Sequence, residues 1–254
     1  MTSDLIVGTR SWTQPPPPDL LEAIQQHALT VDTAAIYGRG QVETFIGTKL
    51  PSTPVITKVM PHLWRSPKSF ERHLHHSLQR LQRTAVDVLM LHFPARANQR
   101  EWLQRLAAAV HSGHAHAIGL SNFTYTQLKE AIHVLNAEGC HVKVVQLDSN
   151  VLQAQYMWNH RHKLLQQQGV QLMVFHVLQN HMLSADTPTM MALAKQTGRH
   201  PLQLSLRWWR HHGIVPIVGT RSTPHLTDAI QAINTALPDT VITALDRLSQ
   251  QVLQ

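Results

Sequence analysis

The sequence predicts an α/β fold, a single (β/α)8 TIM barrel occupying residues 1–254, with an extra helix at its C-terminal end. Eight short runs rich in Val, Ile and Leu alternate with amphipathic stretches from one end of the chain to the other. Several runs are apolar almost throughout, as strands of a parallel sheet covered on both faces are. The length of 254 residues also suits the about 250 of a typical closed barrel. Length alone leaves a two-domain split open, and an open doubly wound sheet is the main competitor. Such a sheet usually carries a glycine-rich phosphate loop after its first strand. Here that strand leads into Gly8, Thr9, Arg10, Ser11 and Trp12 and then four prolines, Pro15 to Pro18, and the chain has no G-x-G-x-x-G or G-x-x-x-x-G-K-[ST].

The strand-like runs, in order, are Leu5 to Thr9, Thr30 to Ala34, Val55 to Val59, Val86 to Phe93, Ala117 to Ser121, Val142 to Leu147, Gln171 to Phe175 and Val215 to Val218. Between them, Pro67 to Gln82 places Phe70, Leu74, Leu78 and Leu81 at helical spacing, with Ser66 as N-cap and proline at the first helical position. Asn98 to His111 keeps Trp102, Leu103, Leu106 and Val110 on one face, and Gly113 reads as its stop. Thr124 to Ala137 and His160 to Gln168 follow the same scheme, with Gly139 and Gly169 beyond them. A last helix, Asp239 to Leu253, is expected to pack outside the barrel or across one of its ends.

Barrel enzymes do their chemistry at the C-terminal ends of the strands. In this chain the second strand ends in Asp32, with Tyr37 five residues on; the third carries Lys58, the fourth ends in His92, the fifth ends in Ser121 and Asn122, and the sixth carries Gln146. Each has an ordinary structural role open to it: Asp32 as a turn residue, Tyr37 as a packed aromatic, Lys58 as a snorkelling cation, His92 as a core histidine. Together they have a chemical logic. A free phenol titrates near 10, too high for easy proton donation at neutral pH, and a nearby ammonium lowers it. A carboxylate can hold that ammonium in place. A histidine can donate a hydrogen bond to a carbonyl oxygen, so the set would protonate an oxygen as hydride reaches its carbon.

The segment Val31 to Gly38 (Val-Asp-Thr-Ala-Ala-Ile-Tyr-Gly), with Glu43 and Gly47, resembles the first fingerprint of the aldo-keto reductase superfamily. Ser77, Leu78 and Leu81, followed by Val86 to Pro94, resemble the second, and Ile118 to Phe123 match a further family block. The resemblance runs over nearly the whole chain. It implies a tetrad of Tyr37 as general acid, Lys58 and Asp32 tuning it, and His92 orienting the carbonyl. It implies nicotinamide binding, with Ser121, Asn122 and Gln146 on the carboxamide and Phe175 stacked on the ring where the family commonly has tyrosine. NADP is the expected cofactor, NADPH being preferred and NADH not excluded, with Gly219, Thr220 and Arg221 in the phosphate loop. The family's later arginine and asparagine of that loop are replaced near His225 and Ala229, and His176 and Gln179 depart from its small and glycine residues. The usual N-terminal hairpin is expected to be absent and the substrate loops short, leaving an open pocket walled by Trp12, Met60, Trp64 and Phe93.

The remaining features narrow the function. The formal charge is +7 with 19 His counted neutral, but the cations are scattered, and no nucleic-acid signature is present. Cys140 is the one cysteine, so no intrachain disulfide can form, and no signal-peptide pattern or apolar run of membrane-spanning length is present. A cytoplasmic protein acting on a small carbonyl substrate is expected, without nucleic acid, membrane or metal, with a monomer as the favoured state. His73, His75, His76, His160, His162, His211 and His212 sit on expected surface helices and His114 and His116 on an expected strand face, without a metal-ligand motif. The expected activity is NAD(P)H-dependent reduction of aldehydes or ketones to alcohols, of the carbonyl reductase or alcohol dehydrogenase type. A nucleotide-binding or regulatory barrel with little turnover is the alternative, and a lyase or isomerase without nicotinamide is a further rival.

Overall fold

In the computed structural model, residues 3–61, 66–158, 160–177 and 187–250 are described, except for the side chains of 155–158. Eight parallel strands close into a barrel in sequence order. They are β1 (Ile6–Gly8), β2 (Thr30–Asp32), β3 (Val55–Val59), β4 (Val88–Leu91), β5 (Ile118–Ser121), β6 (Val142–Asp148), β7 (Gln171–Phe175) and β8 (Val215–Gly219). Closure comes from β1 pairing with β8, with Gly8 opposite Gly219. All eight predicted runs contain a strand.

Ten α-helices surround the barrel among the described residues: α1 (Pro18–Gln26), α2 (Gln41–Lys49), α3 (Phe70–Leu81), α4 (Gln99–His111), α5 (Tyr125–Ala137), α6 (His160–Gln167), α7 (Pro188–Thr197), α8 (Pro201–His211), α9 (Thr223–Asn234) and α10 (Asp239–Gln250). The Ser66 side chain accepts from the Lys68 backbone N–H at 3.1 Å, as expected of the cap, but the proline opens a 3-10 turn before α3. Thr124 and Gln127 form a reciprocal capping box on α5. Two helices, α7 and α8, lie between β7 and β8, one more than a strict strand-helix alternation requires. The last helix, α10, packs outside the barrel, where Asp246 accepts from the Trp208 indole N–H at 2.8 Å. His114 and His116 lie in the turn before β5, not on a strand face as expected. No hairpin precedes β1 among the described residues.

Period-two alternation sorts the strand residues into two cores. Val7, Val31, Val55, Leu89, Leu91, Leu120, Val145 and Val174 pack outward into the shell shared with the helices. Ile6, Ile56, Val88, Met90, Val144, Met173, Val215 and Ile217 fill the barrel interior. Each fully buried aliphatic side chain contributes roughly 1.5–3 kcal/mol of transfer free energy. The interior has no spare room at Gly119, where a Cβ would lie 2.7 Å from Met90 Cε and Val144 Cγ2.

Alternation also positions the site. Counting by twos from Ile56, Met90, Val144 and Met173 along their strands reaches Lys58, His92, Gln146 and Phe175. The same step from Thr30 reaches Asp32. The polar residues are therefore the top layer of interior-facing positions, at the C-terminal mouth.

Candidate active site

A cavity of about 870 Å3 opens at this mouth, lined by residues that include Asp32, Tyr37, Lys58, His92, Ser121, Asn122, Gln146, Phe175 and Gly219. Its size falls within the roughly 300–1,000 Å3 of small-molecule sites. Asp32 and Lys58 are nearly fully buried and form an ion pair, with Lys58 Nζ donating to Asp32 Oδ1 at 2.5 Å and to the Thr33 carbonyl at 2.9 Å. The other carboxylate oxygen accepts from Gln146 Nε2 at 2.5 Å. Asp32 thus clamps the ammonium, and the burial of each charge is compensated by the other.

Tyr37 opens a short 3-10 turn, its N–H donating to the Ala34 carbonyl at 2.9 Å. The turn continues with Gly38, Arg39 and Gly40 at φ 53°, 55° and 92°, left-handed backbone that favours glycine and reverses the chain into α2. The phenol ring is half-buried, its centroid 5.5 Å from Lys58 Nζ, and lies edge-on to His92 at 5.9 Å. The phenol pKa is raised above its ordinary 10.0 because loss of water contact outweighs the downward pull of the Lys58 cation. The ammonium therefore acts in the expected direction, but the net shift is opposite to the sequence expectation.

His92 is 8% exposed, and burial, with the Lys58 and Arg10 charges, pushes its pKa down to about 3. Its ring is neutral at pH 7, and Nδ1 is buried without a hydrogen-bond partner among the described residues. Phe93 stacks on it, centroids 5.0 Å apart and planes within 13°. A neutral imidazole beside a protonated phenol offers two uncharged N–H and O–H donors to an oxygen placed between them.

The same cavity is lined by the residues that the resemblance assigns to a nicotinamide. Asn122 takes a left-handed φ of 64°, which asparagine tolerates, and donates through Nδ2 to Ser121 Oγ at 3.1 Å and to the His92 carbonyl at 3.1 Å. The Gln146 amide nitrogen donates to Asp32 Oδ2 and to Met173 Sδ at 3.8 Å, so its carbonyl oxygen is what it can offer a carboxamide. Phe175 lies at the end of β7, partly exposed. This combination of an aromatic face with amide and hydroxyl groups fits a nicotinamide.

Several expected contacts lie elsewhere. Trp12 is 3% exposed and off the cavity wall, because its indole N–H donates to the Thr220 carbonyl at 2.9 Å and its ring meets Phe45 edge-on at 6.1 Å. Met60 is half-buried beyond β3 and does not line the cavity; Phe93 does, at 42% exposure. Trp64 and Gln179 lie outside the described residues. Thr220 and Arg221 are also off the wall: the Arg221 guanidinium donates to the Pro15 carbonyl at 3.1 Å, beside the first turn of α9. Sequence reasoning missed Arg10, Ile36 and Asp148, which line the cavity. The position of Arg10 just past a strand end was the available signal.

Other motif residues serve the scaffold. Fully buried Glu43 accepts from Thr57 Oγ1 at 2.6 Å and Arg80 Nε at 2.8 Å, tying α2 to β3 and α3. Asp87 accepts from the Val55 N–H at 2.8 Å. No three His, Cys, Asp or Glu side chains converge as a metal site among the described residues, and no described helix is long and apolar enough to cross a membrane.

Known proteins agree with this architecture. A family model described as "Aldo/keto reductase family" matches residues 4–250. Glyoxal reductase of Bacillus subtilis is 26% identical over 205 residues, 77% of this chain and 69% of its own length. The structure of a thermostable aldo-keto reductase in complex with the inhibitor epalrestat superposes with a TM-score of 0.87 at 26% identity, over 97% of this chain and 95% of that one. An aldo/keto reductase from Klebsiella pneumoniae, in complex with NADP and acetate, has the same fold, with a TM-score of 0.83 at 20% identity over 100% and 93% of the two chains. With its closed barrel and its match along nearly the full length, this chain belongs to the aldo/keto reductase family.

Proposed function

We propose that the protein reduces aldehydes or ketones to alcohols with NADPH, with Tyr37 as the proton donor. One observation carries this reading: Asp32, Tyr37, Lys58 and His92, from three strand ends and the loop after β2, line one cavity with a buried ion pair beneath the phenol. The bound nicotinamide would supply the hydride. Ser121, Asn122 and the Gln146 carbonyl would hold its carboxamide, Phe175 would cover one face of its ring, and Gly219, Thr220 and Arg221 with the first turn of α9 would meet its phosphates. Guanidinium and helix N-terminus both suit such anions.

The neutral His92 ring donates a hydrogen bond to the carbonyl oxygen and so places it against the Tyr37 hydroxyl. Negative charge grows on that oxygen as the carbon is reduced, and the phenol proton moves onto it. The phenolate left behind is stabilised by Lys58, which Asp32 holds in position. The raised phenol pKa keeps Tyr37 protonated at neutral pH, the form a reductase needs.

The test is to mix the purified protein with NADPH or NADH and a panel of reactive aldehydes and follow loss of reduced-nicotinamide absorbance. Turnover with wild type that vanishes in Tyr37→Phe, with cofactor binding retained, supports the assignment; equal rates defeat it. Arg221 bonded to Pro15 and off the cavity wall favours a second reading, a barrel that binds nucleotide and turns over little. Fluorescence quenching by NADPH without turnover of any carbonyl would select it.

A further inference from the structure

The loop after β1 is pinned at both ends. Both the N–H and the hydroxyl of Thr9 donate to the Asp32 carbonyl, at 3.0 and 2.9 Å, and the Trp12 N–H closes a turn onto the Thr9 carbonyl at 2.9 Å. The buried Trp12 indole fastens the turn to Thr220. Arg10 and Ser11 form the exposed apex of this turn and face the cavity. A side chain on a braced turn is ordered in advance of binding, which lowers the entropy cost of meeting a ligand.

The other charges of the cavity have partners. Lys58 is paired with Asp32, and Asp148 accepts from His176 Nδ1 at 3.0 Å on the opposite, β6–β7 side. The guanidinium of Arg10 makes no hydrogen bond or ion pair among the described residues. Its charge acts on both the Tyr37 phenol and the His92 imidazole, lowering the pKa of each, so it stands near the carbonyl end of the cavity. Ile36 and Phe93 line the same cavity and expose large apolar surfaces, 43% and 42% accessible. A free cation next to an apolar rim is complementary to a substrate with an apolar body and an anionic end.

Resting on the carbonyl-reductase reading above, we infer that Arg10 is an anion-binding subsite that selects carbonyl substrates carrying a carboxylate, with the substrate body lying between Ile36 and Phe93. The carboxylate takes the planar guanidinium in a two-pronged hydrogen bond while the carbonyl oxygen sits between Tyr37 and His92. Arg10 takes no part in proton or hydride transfer.

The experiment compares para-carboxybenzaldehyde with its neutral analogue para-formylbenzamide, in wild type, Arg10→Gln and Arg10→Lys. Wild type is expected to favour the carboxylate in kcat/KM by about tenfold or more, the size of one charge-assisted hydrogen bond. Arg10→Gln should erase that ratio, Arg10→Lys should restore part of it, and added salt should shrink it in wild type. Equal kcat/KM for both aldehydes in wild type would overturn the subsite and leave the reductase reading intact. So would an Arg10→Gln variant that weakens NADPH binding and slows both aldehydes alike, since that would place Arg10 on the cofactor. Calorimetric titration of both aldehydes into protein with NADP+ keeps the two ideas separate. Tighter carboxylate binding lost in Arg10→Gln, without turnover in any protein, sustains the subsite and sinks the reductase. Equal binding of both aldehydes without turnover sinks both.

Discussion

The two mouths of the barrel are built from the same eight strands yet treat charge in opposite ways. At the C-terminal mouth, Asp32, Lys58 and His92 are each less than a tenth exposed and line one cavity, with Lys58 paired to Asp32. At the N-terminal mouth a second cavity, about 720 Å3, has an apolar floor of Ile56, Val88, Val144 and Leu172, and its polar groups, among them His116, Lys143, His162 and His212, stand around the rim. Lys143, near the start of β6, is exposed, whereas Gln146, three residues on, is buried. The contrast teaches that this fold buries charge where the ion has a built partner, as at Asp32 and Lys58 in the C-terminal mouth and at Glu43 and Arg80 in the helix shell, and leaves the charges of the other mouth near water. Cavity size does not separate the mouths; the chemistry of the top interior layer does.

The largest expected effect is on catalysis. Tyr37→Phe should lower kcat for any aldehyde the protein reduces by about 10²–10⁴-fold, the usual worth of a general acid, with an unchanged melting temperature. Steady-state rates and thermal unfolding check it, and near-wild-type kcat would remove the distinction between the mouths. Next comes Lys58→Met, which leaves the Asp32 carboxylate buried without its cation. It should destabilise the fold by about 3–5 kcal/mol, and Asp32→Asn in the same chain should recover part of the loss. Denaturant unfolding measures both, and an Asp32→Asn addition that worsens stability would contradict the pairing argument.

Acid titration sharpens the comparison. His92 has its pKa lowered to about 3 from 6.5, mainly by burial. As pH falls below 6.5, the unfolded chain takes up a proton that the folded state refuses until about pH 3, so stability is lost across that window and none of this loss remains above it. Wild type should therefore lose stability relative to His92→Gln as pH is lowered from 7 towards 4. His162 at the other mouth is also lowered, by burial and then by His212, so the same substitution there should change the pH slope in the same direction but less. Equal slopes for the two variants would erase the asymmetry. The smallest effect is expected for Lys143→Met, within about 0.5 kcal/mol of wild type and without change in turnover, as for an exposed side chain.

Much of this was legible in the chain. The eight strand runs, the cap at Ser66, and the placing of Asp32, Lys58 and His92 at one mouth all follow from short-range patterns. An apolar run marks a strand, and period two decides which side chains face inward. The segment around Tyr37 was legible through its resemblance to the aldo-keto reductase fingerprint, whereas the left-handed turn through Gly38, Arg39 and Gly40 emerged only in the structure. The second helix between β7 and β8 was not, because helical periodicity there carries no mark of how many helices a connection contains.

What the sequence by itself determined is the barrel, the order of its strands and the set of polar side chains at its active mouth, because these depend on local apolar patterning and alternation. Only the tertiary structure decided the partners: the Gln146 amide on Asp32, the Trp12 indole on Thr220 rather than on the cavity wall, the net upward shift of the Tyr37 phenol, and Arg10 in the same cavity, without an ion pair among the described residues. Hydrogen-bond choice and desolvation depend on distances between residues on different elements, 114 positions apart for Asp32 and Gln146 and 208 for Trp12 and Thr220, and no local pattern encodes those distances.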